Sequence, residues 1–173
     1  AYFSVDAVRS RKSRAEFIPK WSIDSLKFFV CIVYVFAGLA KINSDWLLAA
    51  QPLRIWLPAK NDLPVVGPVF NYVWVAYAFS WVGCLYDLSI PFLLLNKRTR
   101  ILAYSAVVVF HGLTAILFPI GMFPYLMIAT ALIFFSADFH KSITDKLARI
   151  LRISKMVIHT GNTFTYSNSY RGL

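Results

Sequence analysis

Three ionisable side chains interrupt or end the long apolar runs of this sequence: Lys41, Asp87 and His111. A charged group at such a depth in a membrane is costly, so it usually has a partner, a water-filled cavity or a function. An ammonium donates hydrogen bonds, a carboxylate accepts them, and an imidazole gains or loses a proton near neutral pH. These residue types in apolar surroundings therefore predict a candidate functional site.

Each of the three residues also has a simpler explanation. Lys41 ends its apolar run, so its stem can lie in lipid while its ammonium reaches the membrane surface. Asp87 can lie near the lipid headgroups, or it can pair with another buried polar group for stability alone. A lone histidine on an apolar helix, such as His111, is more often a satisfied core residue than a ligand. The residue types alone leave both explanations open.

The composition is that of a membrane protein. Of the 173 residues, 58% are hydrophobic and 15% are charged, whereas a soluble domain has about 25% charged residues. The net charge is +10, but the basic residues lie in short clusters between apolar runs. That distribution argues against a nucleic-acid partner and makes the lipid bilayer the expected partner. Cys31 and Cys84 lack the spacing of metal ligands, so we expect no metal site.

The apolar runs predict an all-α integral membrane helical bundle, with about four transmembrane helices plus interfacial and amphipathic helices. A span needs about 17–25 residues, and proline or glycine residues separate the runs. Tryptophans and prolines after the first run predict an interfacial segment over 45–60. Ser136 is the predicted N-cap of an amphipathic helix after the last run. The predicted spans cover residues 26–42, 69–95, 101–118 and 125–135.

The lysines and arginines predict the orientation of these spans. Cations cluster in residues 7–20, in the turn at 97–100 and in the amphipathic helix. With four spans, all three clusters lie on one side of the membrane, which the positive-inside rule identifies as the cytoplasmic side. We therefore expect a multi-pass protein with both basic ends in the cytoplasm or its equivalent, in a membrane of unknown organelle.

The residues around Lys41 resemble a known family. The segment FAGLAKINSDW at 36–46 is similar to the A-G-x-K-K-x-x-x-D-W segment of vitamin K-dependent gamma-glutamyl carboxylase. Further similarity in the same order covers most of residues 1–155. The sequence thus resembles the carboxylase-like proteins of the horizontally transferred transmembrane domain family. The other matching segments are SVD at 4–6, DLS at 87–89, His111, and LFPIGMFPY at 117–125.

The resemblance implies a reaction and a cofactor, reduced vitamin K or a related quinone. Lys41 would be the catalytic base that deprotonates the quinol, which then reacts with oxygen and becomes strong enough to remove a γ-proton from glutamate. Carbon dioxide adds to the resulting carbanion. His111 would be a second catalytic residue that handles protons or orients the quinone. The residues implied in cofactor binding are Asp87, Phe118, Gly121 and Tyr125.

The sequence departs from the family pattern at two positions. The family has two adjacent lysines, and the first is Ala40 here; an asparagine follows the family's histidine by three positions, where this chain has Thr114. These departures favour an alternative, a non-catalytic structural membrane subunit of a larger complex that retains the fold.

The resemblance, the abrupt start of the sequence at Ala1 and the polar composition of its last residues together predict the domain organisation. We expect a transmembrane domain over 1–155, belonging to a longer chain, and a polar tail over 156–173. A protein substrate is expected only if a lumenal region like that of the carboxylase accompanies this domain.

Overall fold

The computed structural model describes residues 19–150 of the chain. Every regular element in this range is helical, which confirms the predicted all-α fold. The cation cluster before residue 19 and the predicted tail over 156–173 lie outside the described residues. The α-helices are α1 (Lys20–Ala40), α2 (Ser44–Leu47), α3 (Leu53–Trp56), α4 (Val73–Leu95), α5 (Arg100–Leu117), α6 (Phe123–Ala131) and α7 (Ala137–Ile150), with 3-10 turns at Pro58–Lys60, Gly67–Asn71 and Leu132–Phe134.

The chain divides into two compact units. One consists of residues 26–134 and contains every residue of the candidate site. Of the described residues, the other contains 19–25 and 135–150, including α7. In that second unit the Ser136 hydroxyl accepts a hydrogen bond from the Phe139 amide at 3.3 Å. This is the predicted N-cap, and α7 is amphipathic, with Ile143 and Leu147 on its apolar face.

Three helices are long and apolar enough to cross a membrane: α1, α4 and α5. They confirm three of the predicted spans, and the chain is a multi-pass integral membrane protein. The predicted span at 125–135 is instead the short helix α6 followed by a 3-10 turn. It reaches span length only when Phe123–Phe134 and Ala137–Leu147 count together as one broken span. The orientation of the ends remains a prediction.

The end of α1 is fixed by a side-chain cap. The Asn43 side chain accepts a hydrogen bond from the Trp46 amide at 2.8 Å and donates one to the Ala40 carbonyl at 2.8 Å. One residue therefore satisfies a carbonyl at the end of α1 and an amide at the start of α2. The chain turns sharply between these helices, which leaves Lys41 at the C-terminal end of α1.

The short helix α2 is attached to the first half of α4. The Trp46 indole donates to the Ser80 carbonyl at 2.9 Å, and the Ser80 hydroxyl donates back to the Trp46 carbonyl. The Tyr77 hydroxyl donates to the Leu48 carbonyl at 2.9 Å. These bonds explain why the predicted interfacial segment 45–60 follows the surface of the bundle, because its free backbone carbonyls find donors on α4.

Two clusters of buried residues form the core. The first joins α1, α4, α5, α6 and the following 3-10 turn, so it holds the membrane helices together. The second attaches the segment between α1 and α4 to the start of α4 and the end of α5. The first cluster is Tyr34, Ile90, Leu94, Ala103, Val107, Met127, Ala131 and Phe134, and the second is Ala50, Leu53, Leu57, Phe70, Val75, Ala76 and Leu117.

Close contact between α1 and α4 depends on Gly38. A Cβ atom at this position would lie 2.6 Å from Cδ2 of Leu88 and 3.1 Å from its backbone nitrogen. The Cys84 thiol, one turn earlier on α4, donates to the Gly38 carbonyl at 3.7 Å. Gly38 precedes Lys41 by three residues, and Leu88 directly follows Asp87. The same close approach therefore brings the two charged residues together.

We predict that Gly38→Ala lowers the free energy of unfolding by about 1–3 kcal/mol, because the added methyl group forces α1 and α4 apart. Unfolding of the protein by SDS in mixed micelles, followed by loss of helical circular dichroism, measures this change. The control is Gly112→Ala in α5, where a new Cβ would meet no other atom within 4 Å. The control should be neutral, or more stable by up to about 1 kcal/mol because alanine favours helix. Equal stability of both variants would contradict the prediction.

Candidate functional site

An ion pair joins α1 and α4. Nζ of Lys41 lies 2.5 Å from Oδ2 of Asp87, and the two side chains are 21% and 7% exposed. Nζ also donates to the Ala37 carbonyl, one turn back on α1, at 3.1 Å. An ammonium has three N–H donors, so these bonds leave one donor for another acceptor. The two charges are therefore paired with each other. Lys41 has a buried carboxylate as its partner, and Asp87 has a cation as its partner.

An aromatic ring completes the surroundings of the ammonium. The Lys41 nitrogen lies 5.3 Å from the centre of the Trp46 ring, within the range of a cation–π interaction. The hydrogen bonds between Trp46 and Ser80 fix that ring on α4. The ammonium thus contacts a carboxylate, a carbonyl and an aromatic face.

His111 lies in an aromatic environment on α5. It is 3% exposed, and its Nε2 is hydrogen-bonded to the Tyr34 hydroxyl at 3.1 Å. The rings of Tyr86, Phe110 and Phe123 all approach it edge to face. Its second nitrogen, Nδ1, has no hydrogen-bond partner among the described residues. Because a buried polar atom without a partner costs about 1–3 kcal/mol, this nitrogen calls for an explanation such as a bound ligand.

One cavity of about 440 Å³ is lined by all three ionisable residues, Lys41, Asp87 and His111. Thr114 also lines it, but its hydroxyl donates to the Phe110 carbonyl at 2.6 Å, within its own helix. The rest of the wall is almost entirely apolar and aromatic. Cavities of about 300–1,000 Å³ with apolar walls and a few polar groups are typical of small-molecule sites.

The structure separates the predicted cofactor-binding residues into two groups. Asp87 and Phe118 line the cavity. Gly121 and Tyr125 do not: Gly121 forms the turn before α6 with a φ of +65°, and Tyr125 is exposed on the surface of α6. The predicted cofactor contacts of Gly121 and Tyr125 thus have no support from the cavity and remain predictions.

Sequence reasoning did not select Tyr34, although a signal for it exists. Tyr34, Ala37 and Lys41 are spaced i, i+3 and i+7, so they share one face of α1, and all three line the cavity. His111 and Thr114 lie on one face of α5 by the same rule. Listing the residues three, four and seven positions from each ionisable residue on its helix would have identified Tyr34 as a polar residue on the same face as Lys41.

The fold and the cavity define a class: a multi-pass helical membrane protein with a mostly apolar cavity between its helices. A sequence model of the HTTM domain, the horizontally transferred transmembrane domain, matches residues 1–139. The chain therefore belongs to the HTTM domain family, which is associated with vitamin K-dependent carboxylase-related membrane proteins. No solved structure matches the chain.

We predict energetic coupling between Lys41 and Asp87. Lys41→Ala or Asp87→Ala alone leaves a charge without its partner, so the double variant should be destabilised less than the sum of the two single variants, by about 0.5–3 kcal/mol. SDS unfolding of the four proteins measures the coupling. Asp62→Ala removes an exposed carboxylate and should show no coupling with Lys41→Ala. Additive effects of Lys41→Ala and Asp87→Ala would contradict the prediction.

We also predict that Tyr34→Phe destabilises the protein by about 1–3 kcal/mol, because both nitrogens of His111 would then be buried without a partner. The ring is retained, so packing is nearly unchanged. The reference variant is Tyr125→Phe, which removes a hydroxyl from an exposed tyrosine and should have no effect. If both variants unfold at the same SDS fraction as the parent protein, the hydrogen bond to His111 contributes nothing to stability.

Proposed function

We propose that the cavity binds reduced vitamin K or a related quinone, and that the chain is the membrane core of a carboxylase-like enzyme. The observation that carries the proposal is the convergence of Lys41, Asp87 and His111 on one cavity within the membrane helices. Had these residues faced lipid separately, a shared site would have been excluded. Family membership supports the same reaction class.

The cavity fits a quinone ring by its chemistry. A flat aromatic ring with two oxygens needs apolar walls for its faces and polar groups for its oxygens. Phe79, Phe110 and Phe118 supply aromatic wall, and the remaining donor of Lys41 can reach one oxygen. Nδ1 of His111, buried without a partner, is the candidate contact for the second oxygen. When bound, a reduced quinone supplies the oxygen-dependent chemistry that generates a base strong enough to deprotonate glutamate.

In this proposal the ion pair accepts the proton as one unit. The pair has no net charge when Lys41 is an ammonium and Asp87 a carboxylate. A proton released by a bound hydroxyl is taken up on the carboxylate of Asp87, either directly or through Nζ of Lys41. The ammonium then remains beside the bound oxygen and stabilises the negative charge that develops there. Two strongly interacting groups share such a proton, so the role belongs to the pair rather than to Lys41 alone.

In this proposal the surroundings of the pair limit the access of water. Most of the residues that line the cavity are apolar, and the Trp46 ring lies 5.3 Å from the ammonium, whose side chain is about one-fifth exposed. Exclusion of water strengthens the electrostatic interactions and prevents a strong base from being quenched. A glutamate-bearing protein substrate belongs to this proposal only together with a lumenal region of the carboxylase type.

A second candidate is a non-catalytic structural subunit within a complex of other membrane subunits. The observation that favours it is the ion pair itself, because a bond between α1 and α4 stabilises the bundle without any ligand. Ala40 in place of the family's first lysine agrees with this candidate. The two candidates differ in one measurable property, turnover of the quinone.

The deciding experiment is an assay of the purified full-length protein in lipid nanodiscs with reduced vitamin K, oxygen, bicarbonate and a glutamate-containing peptide. We predict epoxide formation, and about a 100-fold or greater loss of it in Lys41→Ala or Asp87→Asn, as expected for removal of a proton acceptor. The control is Lys97→Ala, which removes an exposed lysine from the turn between α4 and α5 and should retain full activity.

Folded wild-type protein that binds the quinone but forms no epoxide would overturn the enzymatic proposal and retain the binding site. Wild-type protein that neither binds nor converts the quinone would favour the structural subunit. Full activity of Lys41→Ala would overturn the assigned role of the ion pair.

A further inference from the structure

Helix α7 carries a narrow apolar stripe along one side. Phe139, Ile143 and Leu147 follow one another at intervals of four residues, which places them on one face of the helix. Ile143 and Leu147 are 39% and 49% exposed, so the residues that the structure describes leave this stripe partly uncovered. The hydroxyl of Thr144, beside the stripe, donates to two carbonyls of the preceding turn at 3.0 and 2.9 Å. That hydroxyl therefore has its partners within the helix.

The sequence becomes purely basic in the second half of α7. The two acidic residues of the helix, Asp138 and Asp145, precede this stretch. No acidic residue occurs over 146–155, whereas basic residues recur there at every third position: Lys146, Arg149, Arg152 and Lys155. Lys146 and Arg149, which belong to the described part of α7, are exposed.

Lys146 lies at the edge of the apolar stripe. At about 100° per residue, it is about 60° from Ile143 around the helix axis. A lysine at such an edge can bury its stem among apolar groups while its ammonium reaches a charged surface. The helix thus presents apolar and cationic groups side by side, which is typical of a helix that lies in a membrane interface.

Helix α7 begins close to one end of the membrane spans. Phe134, the last residue of the preceding 3-10 turn, belongs to the same buried cluster as Leu94 and Ala103. These two residues lie one and three positions from the ends of α4 and α5 that the turn at 96–99 joins. Three Cα steps of about 3.8 Å each connect Phe134 with Ala137, where α7 begins. The start of α7 is therefore within about 11 Å of Phe134, which brings it near the membrane boundary.

The charges of α7 disfavour a position across the hydrocarbon core. The segment Ala137–Leu147 contains four charged residues, and each of them is costly at the bilayer centre. All four can stay hydrated when the helix lies along the membrane surface. A protein partner fits less well, because the stripe covers only about two turns, whereas a coiled coil continues its apolar pattern over about three to four heptads.

We propose that α7 lies along the membrane surface and binds anionic phospholipids. Its apolar stripe enters the boundary between headgroups and acyl chains, while Lys146 and Arg149 contact the headgroup phosphates. The helix dipole favours an acidic residue at the start of α7 and a basic one at its end, but it does not explain the exposed stripe or the cation at its edge. Binding to the membrane surface accounts for both. The inference is independent of the proposed quinone site.

The test measures the depth of α7 in the full-length protein. Both native cysteines are replaced by alanine, and the protein is placed in nanodiscs of phosphatidylcholine alone or of an equimolar mixture with phosphatidylglycerol. Single cysteines carry a nitroxide spin label, on the stripe in Ile143→Cys and Leu147→Cys and on the opposite side in Asp138→Cys and Lys141→Cys. Electron paramagnetic resonance gives the collision rate of each label with oxygen, which concentrates in lipid, and with a nickel chelate, which stays in water.

We expect the oxygen-to-nickel collision ratio in mixed nanodiscs to be at least about three-fold higher on the stripe than on the opposite side. In phosphatidylcholine alone this contrast should fall at least about two-fold. Lys146→Gln combined with Arg149→Gln should reduce the contrast in mixed nanodiscs to the same extent, because the headgroups lose two cationic contacts. The control, Lys146→Arg combined with Arg149→Lys, keeps both charges and should behave like the parent protein.

The other outcomes would overturn the proposal in distinguishable ways. Strong nickel collisions at all four positions would mean that α7 lies in water. Weak collisions of the stripe labels with both reagents would indicate a protein contact instead of lipid. Strong oxygen collisions at all four positions would mean that α7 enters the hydrocarbon core. A contrast that depends neither on phosphatidylglycerol nor on the two cations would refute the binding of anionic headgroups.

Discussion

The structure depends on one electrostatic constraint: a lysine and an aspartate that both line a mostly apolar cavity between the helices. Burying either charge alone would be costly, and only close approach of α1 and α4 brings Lys41 and Asp87 within 2.5 Å. That approach requires a residue without a side chain at Gly38, against Leu88. The ion pair, the glycine contact and the turn at the end of α1 are therefore parts of one arrangement.

The same arrangement connects stability with the proposed chemistry. In the proposed mechanism the ion pair that joins the two helices would also take up a proton. The stability of the pair and its ability to accept a proton therefore limit each other. A pair that is too stable would not accept a proton, and an unpaired lysine would destabilise the bundle. The third donor of Lys41 and the unpaired Nδ1 of His111 are the places where a ligand could add hydrogen bonds without breaking those of the fold.

Much of the fold could be predicted from the sequence because apolar runs and their breaks have local causes. The run at 101–118 became α5 almost without change, and Ser136 caps α7 as predicted. The structure differs from the sequence-based prediction where a helix continues into polar residues and where a predicted span is interrupted. The first helix begins at Lys20 rather than residue 26, and the fourth run forms only a short helix, α6, followed by a 3-10 turn. Apolar composition alone does not determine where the backbone hydrogen-bond pattern changes.

The sequence by itself determined the membrane class, the helical fold and the ionisable residues in apolar runs, because hydropathy and residue type are properties of the chain. Only the tertiary structure decided which of those residues meet. Lys41 and Asp87 are 46 residues apart, and Tyr34 and His111 are 77 apart. Helical periodicity gives the face of each residue but not the rotation of one helix against another, which depends on packing contacts such as Gly38 on Leu88. For the same reason Gly121 and Tyr125, close to Phe118 in sequence, lie outside the cavity that Phe118 lines.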